Sequence, residues 1–227
     1  VELRDAMRTT GSSRRFTSEP VTNDTLYAIL DDARFAPSGG NRQAWRVVVV
    51  NDVDQRHAIA AAYLDAWHDY VAHVLAGVVP FSPLASQEER RAAASKREAA
   101  KARSTPDGFA ETLAAAPAML VVLADLTVLA ATDRDLDHYH LVGGASIYPF
   151  VWNILLAAHE RGLGGVLTTV ASRNEPALQA ILGAPENLIV ASVVVLGYPE
   201  TRLTKLSRRT VEEFTTIDTL NGEPLRP

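Results

Sequence analysis

The sequence contains no cysteine among its 227 residues. That excludes a disulfide framework, a thiolate nucleophile, a zinc ribbon and a cysteine-ligated iron–sulfur cluster, and leaves the chemistry to other side chains or to a bound cofactor. An apolar run long enough to cross a bilayer is also missing, and the first residues are charged where a secretory leader needs an apolar core. The expectation is a cytoplasmic protein with no membrane partner. Excess basic charge is absent as well. The net charge is -5 and the pI near 5.7, a balance that disfavours a nucleic-acid partner. No G-x-S-x-G elbow and no internal repeat can be found, and His57, His68, His73 and His159 have no serine partner in a recognisable motif.

What is there describes a globular chain. The hydrophobic fraction of 47% and mean hydropathy of +0.00 suit a soluble core-forming protein, and 227 residues suffice for one domain, 1–227, with a full interior. Apolar spacing at Leu26, Ile29, Leu30 and Ala33 predicts a helix capped by Thr22 or Asn23 and stopped at Pro37. A β-branched strand over 45–50 follows, then a long helix from Asp54 to about Leu75 with Ile59, Ala62, Tyr63, Ala66 and Tyr70 on one stripe. Buried strands are expected over 119–123, 166–170 and 188–199. Between the first two, 144–161 reads as a helix apolar on nearly every side, which belongs at the centre of a fold, with Gly162 as its left-handed cap.

Two segments stand apart. Residues 86–104, "SQEERRAAASKREAAKARS", are strong helix formers with no large apolar residue, so such a helix reaches a core only through its alanines. It lies within a surface insertion, 76–110, which is either a lid over a site or a solvated helix. The last stretch, 204–227, has few core residues and reads as an arm that needs another surface.

"GLGG" at 162–165 fails as a dinucleotide fingerprint, because Leu167 occupies the place of a required glycine and the glycines follow a helix. "TDRDLDHYH" at 132–140 collects acids and histidines but lacks the glycine and distal glutamate of a calcium loop and a third imidazole, so no metal site is expected. The loop "APSGGNRQAW", 36–45, is richer in polar side chains than a helix-to-strand connection requires. "SSRRF" at 12–16 and "KLSRR" at 205–209 place arginines beside hydroxyls, a combination that suits phosphate oxygens.

Taken in order, these motifs resemble the nitroreductase family of flavin enzymes. The family's N-terminal pattern is matched by Ser12, Arg14, Phe16, Pro20 and Val21, and its Ala-Pro-Ser-x-x-Asn-x-Gln-Pro-Trp loop by Ala36, Pro37, Ser38, Asn41, Gln43 and Trp45. "WNILLAAHERGLGGVLTT", "LGYP" and "KLSRR" match the central helix, late strand and basic tail. The resemblance implies an α+β fold, a mainly antiparallel sheet flanked by helices. It also implies a homodimer with FMN at the interface and the C-terminal arm on the partner. In the family the 37–43 loop lies along the flavin ring, so Gly39 would admit the backbone while Pro37, Ser38, Asn41 and Gln43 order the loop or meet the ring edge. Ser12 and Arg14 would hold the ribityl and pyrimidine end, Leu167, Thr168 and Thr169 would face N5, and Lys205 and Arg208 would meet the phosphate. Thr10 stands where the family usually has arginine, and brings a hydroxyl but no charge. No protein residue is expected to act as acid or nucleophile. The implied reaction passes hydride from NADH or NADPH through FMN to a nitroaromatic, quinone or other electron-poor acceptor in two steps. Flavin storage without turnover and flavin-dependent dehalogenation are the alternatives.

Overall fold

The computed structural model describes residues 1–103 and 108–227. Among them, four strands form one sheet: β1 (Trp45–Val49), β2 (Ala118–Asp125), β3 (Gly164–Thr168) and β4 (Leu188–Gly197). Their order is β1-β2-β4-β3 and every neighbouring pair is antiparallel. The mixed-composition chain is therefore an α+β fold with an antiparallel sheet between helices, as the motifs imply.

The character of β2 follows from its place. All eight of its residues are buried, since it is a central strand with both faces covered. Leu120, Val122 and Ala124 face one core with Leu26, Ile29 and Ala33 of α2 (Asn23–Ala33) and Phe150, Val151, Ile154 and Ala158 of α7 (Tyr148–Glu160). Met119, Val121 and Leu123 face a second core with Ile59 and Tyr63 of α3 (Val53–Leu75), Phe109 of α6 (Phe109–Thr112) and Leu178 of α8 (Glu175–Leu182). Ile154 is wholly buried in the first core, and truncating such a residue to alanine costs about 2–5 kcal/mol.

Local chemistry sets the boundaries. Thr22 caps α2 by accepting the Thr25 N–H, and Asp52 caps α3 by accepting that of Gln55. The central helix starts at Tyr148, four residues later than its apolar pattern suggests. Residues Val142–Ser146 form a tighter 3-10 turn, and Pro149 in the first helical turn fixes the start. Gly162, at φ 84, ends it as expected, and β3 begins at once, two residues ahead of the predicted strand. Residues 86–103 form two helices, α4 (Gln87–Ala94) and α5 (Arg97–Lys101), and Ser104 lies outside the described residues. Ala93 and Ala100 are their buried residues, and Arg97 joins Asp65 and Asp69 of α3 at 2.6 Å each. At the other end, α1 (Leu3–Thr9) leads into the cationic loop. No helix among the described residues is long and apolar enough to cross a membrane.

Candidate functional site

The segment after α1 is laid along the outer edge of β3. Ser12 bridges Gly165, and the Ser13 N–H donates to the Gly165 carbonyl at 2.9 Å. Glycine is required at this edge: a Cβ on Gly164 would lie 2.5 Å from Ser13 Oγ, and one on Gly165 would lie 2.7 Å from the Val195 carbonyl oxygen. Farther on, Phe16 bridges Pro199 and Arg15 pairs with Glu200 at 2.9 Å. The loop is thus stretched between the edge strand and the chain leaving β4.

Arg14 stands between two concavities. One is a cleft of about 420 Å³ walled by Tyr63, Trp67 and Tyr70 of α3, Phe109 of α6, and the run Val166 to Val170. The other, about 210 Å³, holds Ser12, Ser13, Arg15 and Thr201. The Arg14 guanidinium sits 5.9 Å over the Phe109 ring. Trp67 stacks on Tyr70 at 4.8 Å, and Tyr63 meets Phe109 edge-on at 5.9 Å. Burial pushes the Tyr63 hydroxyl above its ordinary range, against a weaker opposing pull from its hydrogen bond with Thr168 and from Arg14, so it stays neutral. The Trp67 indole N–H is buried and has no partner among the described residues, an unpaired donor in the cleft wall. Three of the predicted residues, Leu167, Thr168 and Thr169, also line this cleft.

The basic tail passes over the same end. Leu203 and Leu206 close on Gly11, where an added Cβ would lie 2.5 Å and 2.9 Å from their methyl groups. Lys205 and Arg208 are exposed, and among the described residues Arg208 donates only to the carbonyl of its neighbour Ser207. Thr10 is buried, with its hydroxyl unpartnered.

The 37–43 loop is built as a rigid object of its own. The Ser38 hydroxyl accepts the Gln43 N–H at 3.0 Å, and the Gln43 amide donates to Asn41 Oδ1 at 3.1 Å. Arg42 closes the turn onto the Gly39 carbonyl at 3.1 Å. Gly40, Asn41 and Gln43 all have positive φ, of 60, 52 and 49 degrees. Two non-glycine departures of this kind within three residues, on either side of an ordinary Arg42, mark a shape maintained for use. The Gly39 N–H anchors it to Ser146 Oγ at 3.0 Å, and Trp45 stacks on Phe150 at 4.7 Å.

These two groups do not meet within one chain. β1 and β3 are opposite edges of the sheet, three steps of about 4.8 Å apart. Leu196, the partner of Gly165, is seven residues along β4 from Ile189, which lies across from Ala124 and through it Trp45. At about 3.3 Å per residue the diagonal comes to about 27 Å. The central helix gives a second ruler. Its start lies by Ser146, which holds the 37–43 loop, and near its end His159 meets Thr9 Oγ1 at 3.1 Å. Its 13 residues span about 20 Å between them.

Four wall residues went unassigned in the sequence. Tyr63 and Tyr70 read as core stripe, and Trp67 sits between them at helical spacing, so only the packing of Phe109 and β3 against α3 turns that stripe into a wall. Asp133, from the acidic 132–140 segment, accepts the N–H groups of Leu141 and Val142 and so orders its own loop.

An edge strand with a docked cationic loop, an aromatic cleft and a glycine-bearing polar loop define a cofactor-binding α+β protein. The chain belongs to the nitroreductase family, whose family model matches residues 7–198. It is similar to a protein of Archaeoglobus fulgidus provisionally named NADH dehydrogenase/NAD(P)H nitroreductase, with 29% identity over 201 residues, 83% of this chain and 80% of that one. It is also similar to the nitrobenzene nitroreductase of Ectopseudomonas oleovorans, with 26% identity over 94% of this chain and 95% of that protein. Among solved structures, an iodotyrosine deiodinase bound to FMN and 3-iodo-L-tyrosine superposes with a TM-score of 0.66 at 22% identity, covering 96% of this chain and 100% of that one.

Proposed function

We propose that the protein passes hydride from NAD(P)H through FMN to an electron-poor aromatic or quinone acceptor, in a site completed by two copies of the chain. The coarser statement follows from the family: this is an FMN-dependent NAD(P)H oxidoreductase. The observation that carries the finer reading is that Gly165, on which the Arg14 loop docks, lies about 27 Å across the sheet from Trp45, where the 37–43 loop enters β1. A single flavin does not bridge that gap, so both groups serve one cofactor only when a second copy supplies the loop.

The residues present fit FMN. A guanidinium, hydroxyls and strand backbone surround the Arg14 end, and the unpaired Trp67 N–H offers a donor to a carbonyl-rich ring. Bound FMN supplies the electron relay between donor and acceptor. Arg14 contributes a fixed positive charge where the cofactor's pyrimidine edge gains negative charge, an electrostatic aid that needs no protein acid. Ser12 and Ser13 offer hydroxyls toward the ribityl chain, and Lys205 and Arg208 bring cations to the phosphate. The aromatic wall of Tyr63, Trp67, Tyr70 and Phe109 offers an apolar face to a flat ring in the cleft. The exposed apolar residues of the arm, Val211, Phe214, Ile217, Leu220 and Leu225, suit a partner's surface.

The test begins with the heat-released chromophore, which mass spectrometry should identify as FMN. In anaerobic stopped-flow, NADH or NADPH should then bleach the flavin within a turnover and a nitroaromatic or quinone restore it. FAD in the released fraction, or bleaching too slow for turnover, contradicts the reading, and recovery with halophenols alone assigns the protein to dehalogenation.

A further inference from the structure

A third cavity, about 530 Å³, opens beneath α4 and adjoins the aromatic cleft through the aromatic row. Tyr70 in the wall of that cleft lies 6.4 Å from Phe81 in the wall of the cavity. The Phe81 backbone is left-handed, at φ 54, a conformation unfavourable for an aromatic residue. The ring is held 4.9 Å from His73, with the Arg173 guanidinium 5.0 Å above its centroid.

The charge balance of this wall is uneven. Arg97 is paired with Asp69 through Nε and with Asp65 through Nη2. Arg90 and Arg173 line the cavity too, and among the described residues neither has a carboxylate partner. Arg90 spends only its Nε, on the Ala85 carbonyl at 3.0 Å. Two guanidinium groups with free donors, beside an aromatic face and the alanines of α4, match an anion carried on a flat ring.

We propose that this cavity binds a planar ring bearing a phosphate or carboxylate, with the ring against Phe81 and the anion in the forks of Arg90 and Arg173. Two molecules carry that chemistry to a flavin reductase: the 2′-phosphorylated adenosine of NADPH and a carboxylated aromatic acceptor. Binding at this cavity is independent of turnover, and only its link to catalysis rests on the function proposed above.

The experiment is calorimetric titration of the FMN-loaded protein with two matched pairs, adenosine 2′-phosphate against adenosine and 4-nitrobenzoate against nitrobenzene. In one pair the charged member should bind at least tenfold more tightly, weaken with added salt, and lose at least tenfold in Arg173→Ala; the pair that does so names the source. Phe81→Leu should weaken the same probe while keeping the arginines. Flavin content and bleaching by saturating NADH should be unchanged in both variants, so a failure of the flavin reading is visible separately. Equal binding of charged and neutral probes in both pairs, or unaltered binding by Arg173→Ala, overturns the proposal.

Discussion

Ser13 gives its backbone N–H to the carbonyl of Gly165 at 2.9 Å, and through that bond the cationic loop becomes a continuation of the sheet edge. Arg14 owes its place beside the aromatic cleft to this docking. The same contact explains why the edge strand opens with two glycines, since the loop, β4 and Leu196 all close on them.

Gly165→Ala should therefore be costly despite its small size. Its Cβ would lie 2.7 Å from a backbone oxygen that has no freedom to swing away. Overpacking of this kind costs about 1–3 kcal/mol. Thermal denaturation should show the lower Tm, and flavin retention through gel filtration should fall with it, because the shifted strand carries Leu167 to Thr169.

Ser38→Ala removes the acceptor of the Gln43 N–H and leaves the strained loop less constrained. A hydrogen bond of this type contributes about 0.5–1.5 kcal/mol, which corresponds to a loss of roughly three- to tenfold in FMN affinity if the loop meets the flavin. Titration of apo-protein with FMN measures it. An unchanged affinity would place the loop away from the cofactor.

Arg208, proposed to meet the phosphate, is exposed and makes no carboxylate pair among the described residues, while Thr10 is buried. A hydrogen bond to a charged group contributes about 1.5–3 kcal/mol, so Arg208→Ala should weaken FMN by roughly ten- to a hundredfold. Thr10→Ala should cost much less, since its hydroxyl carries no charge. The same titration, run on both variants, compares them directly, and equal losses would mean that the phosphate lies nearer α1 than the tail.

The C-terminal end of the central helix should give the fold a pH dependence. Burial first, then the charge of Arg202, holds the His159 imidazole below its ordinary value of about 6.5. The unfolded chain therefore takes up this proton before the folded one. Stability is intact above about pH 6.5 and is lost as pH falls through that value toward the lower folded pKa. Denaturant midpoints measured across this range should fall on acidification, and His159→Gln should flatten the slope.

Much of this was legible because it is local. Thr22 before a 3.6-residue repeat fixes α2, and the alanine-only apolar content of 86–104 points to a helix that reaches a core through its alanines, which the structure divides into two, with Ala93 and Ala100 buried. The short helix α8 escaped notice, since "EPALQAIL" spans scarcely two turns and its only fully buried side chain is Leu178. The aromatic wall was illegible for a different reason. Tyr63 and Trp67 have a helical spacing that reads as core, and their exposure to a cleft depends on Phe109 and β3, which are distant in sequence. Matching motifs could name both Arg14 and Asn41 as cofactor residues, but only the strand order shows that one chain holds them apart.

That separation gives the most direct measurement. Arg14→Ala in one chain and a Gly-Ser replacement of 38–43 in a second, differently tagged chain each damage both sites of their own homodimer. In the mixed dimer, one site collects both lesions and the other none. Tandem affinity purification followed by flavin absorbance should find each homodimer nearly colourless and the mixed dimer holding about half the flavin of the unaltered protein. A mixed dimer as empty as its parents would show that the two groups serve the same chain's site, and would contradict the account.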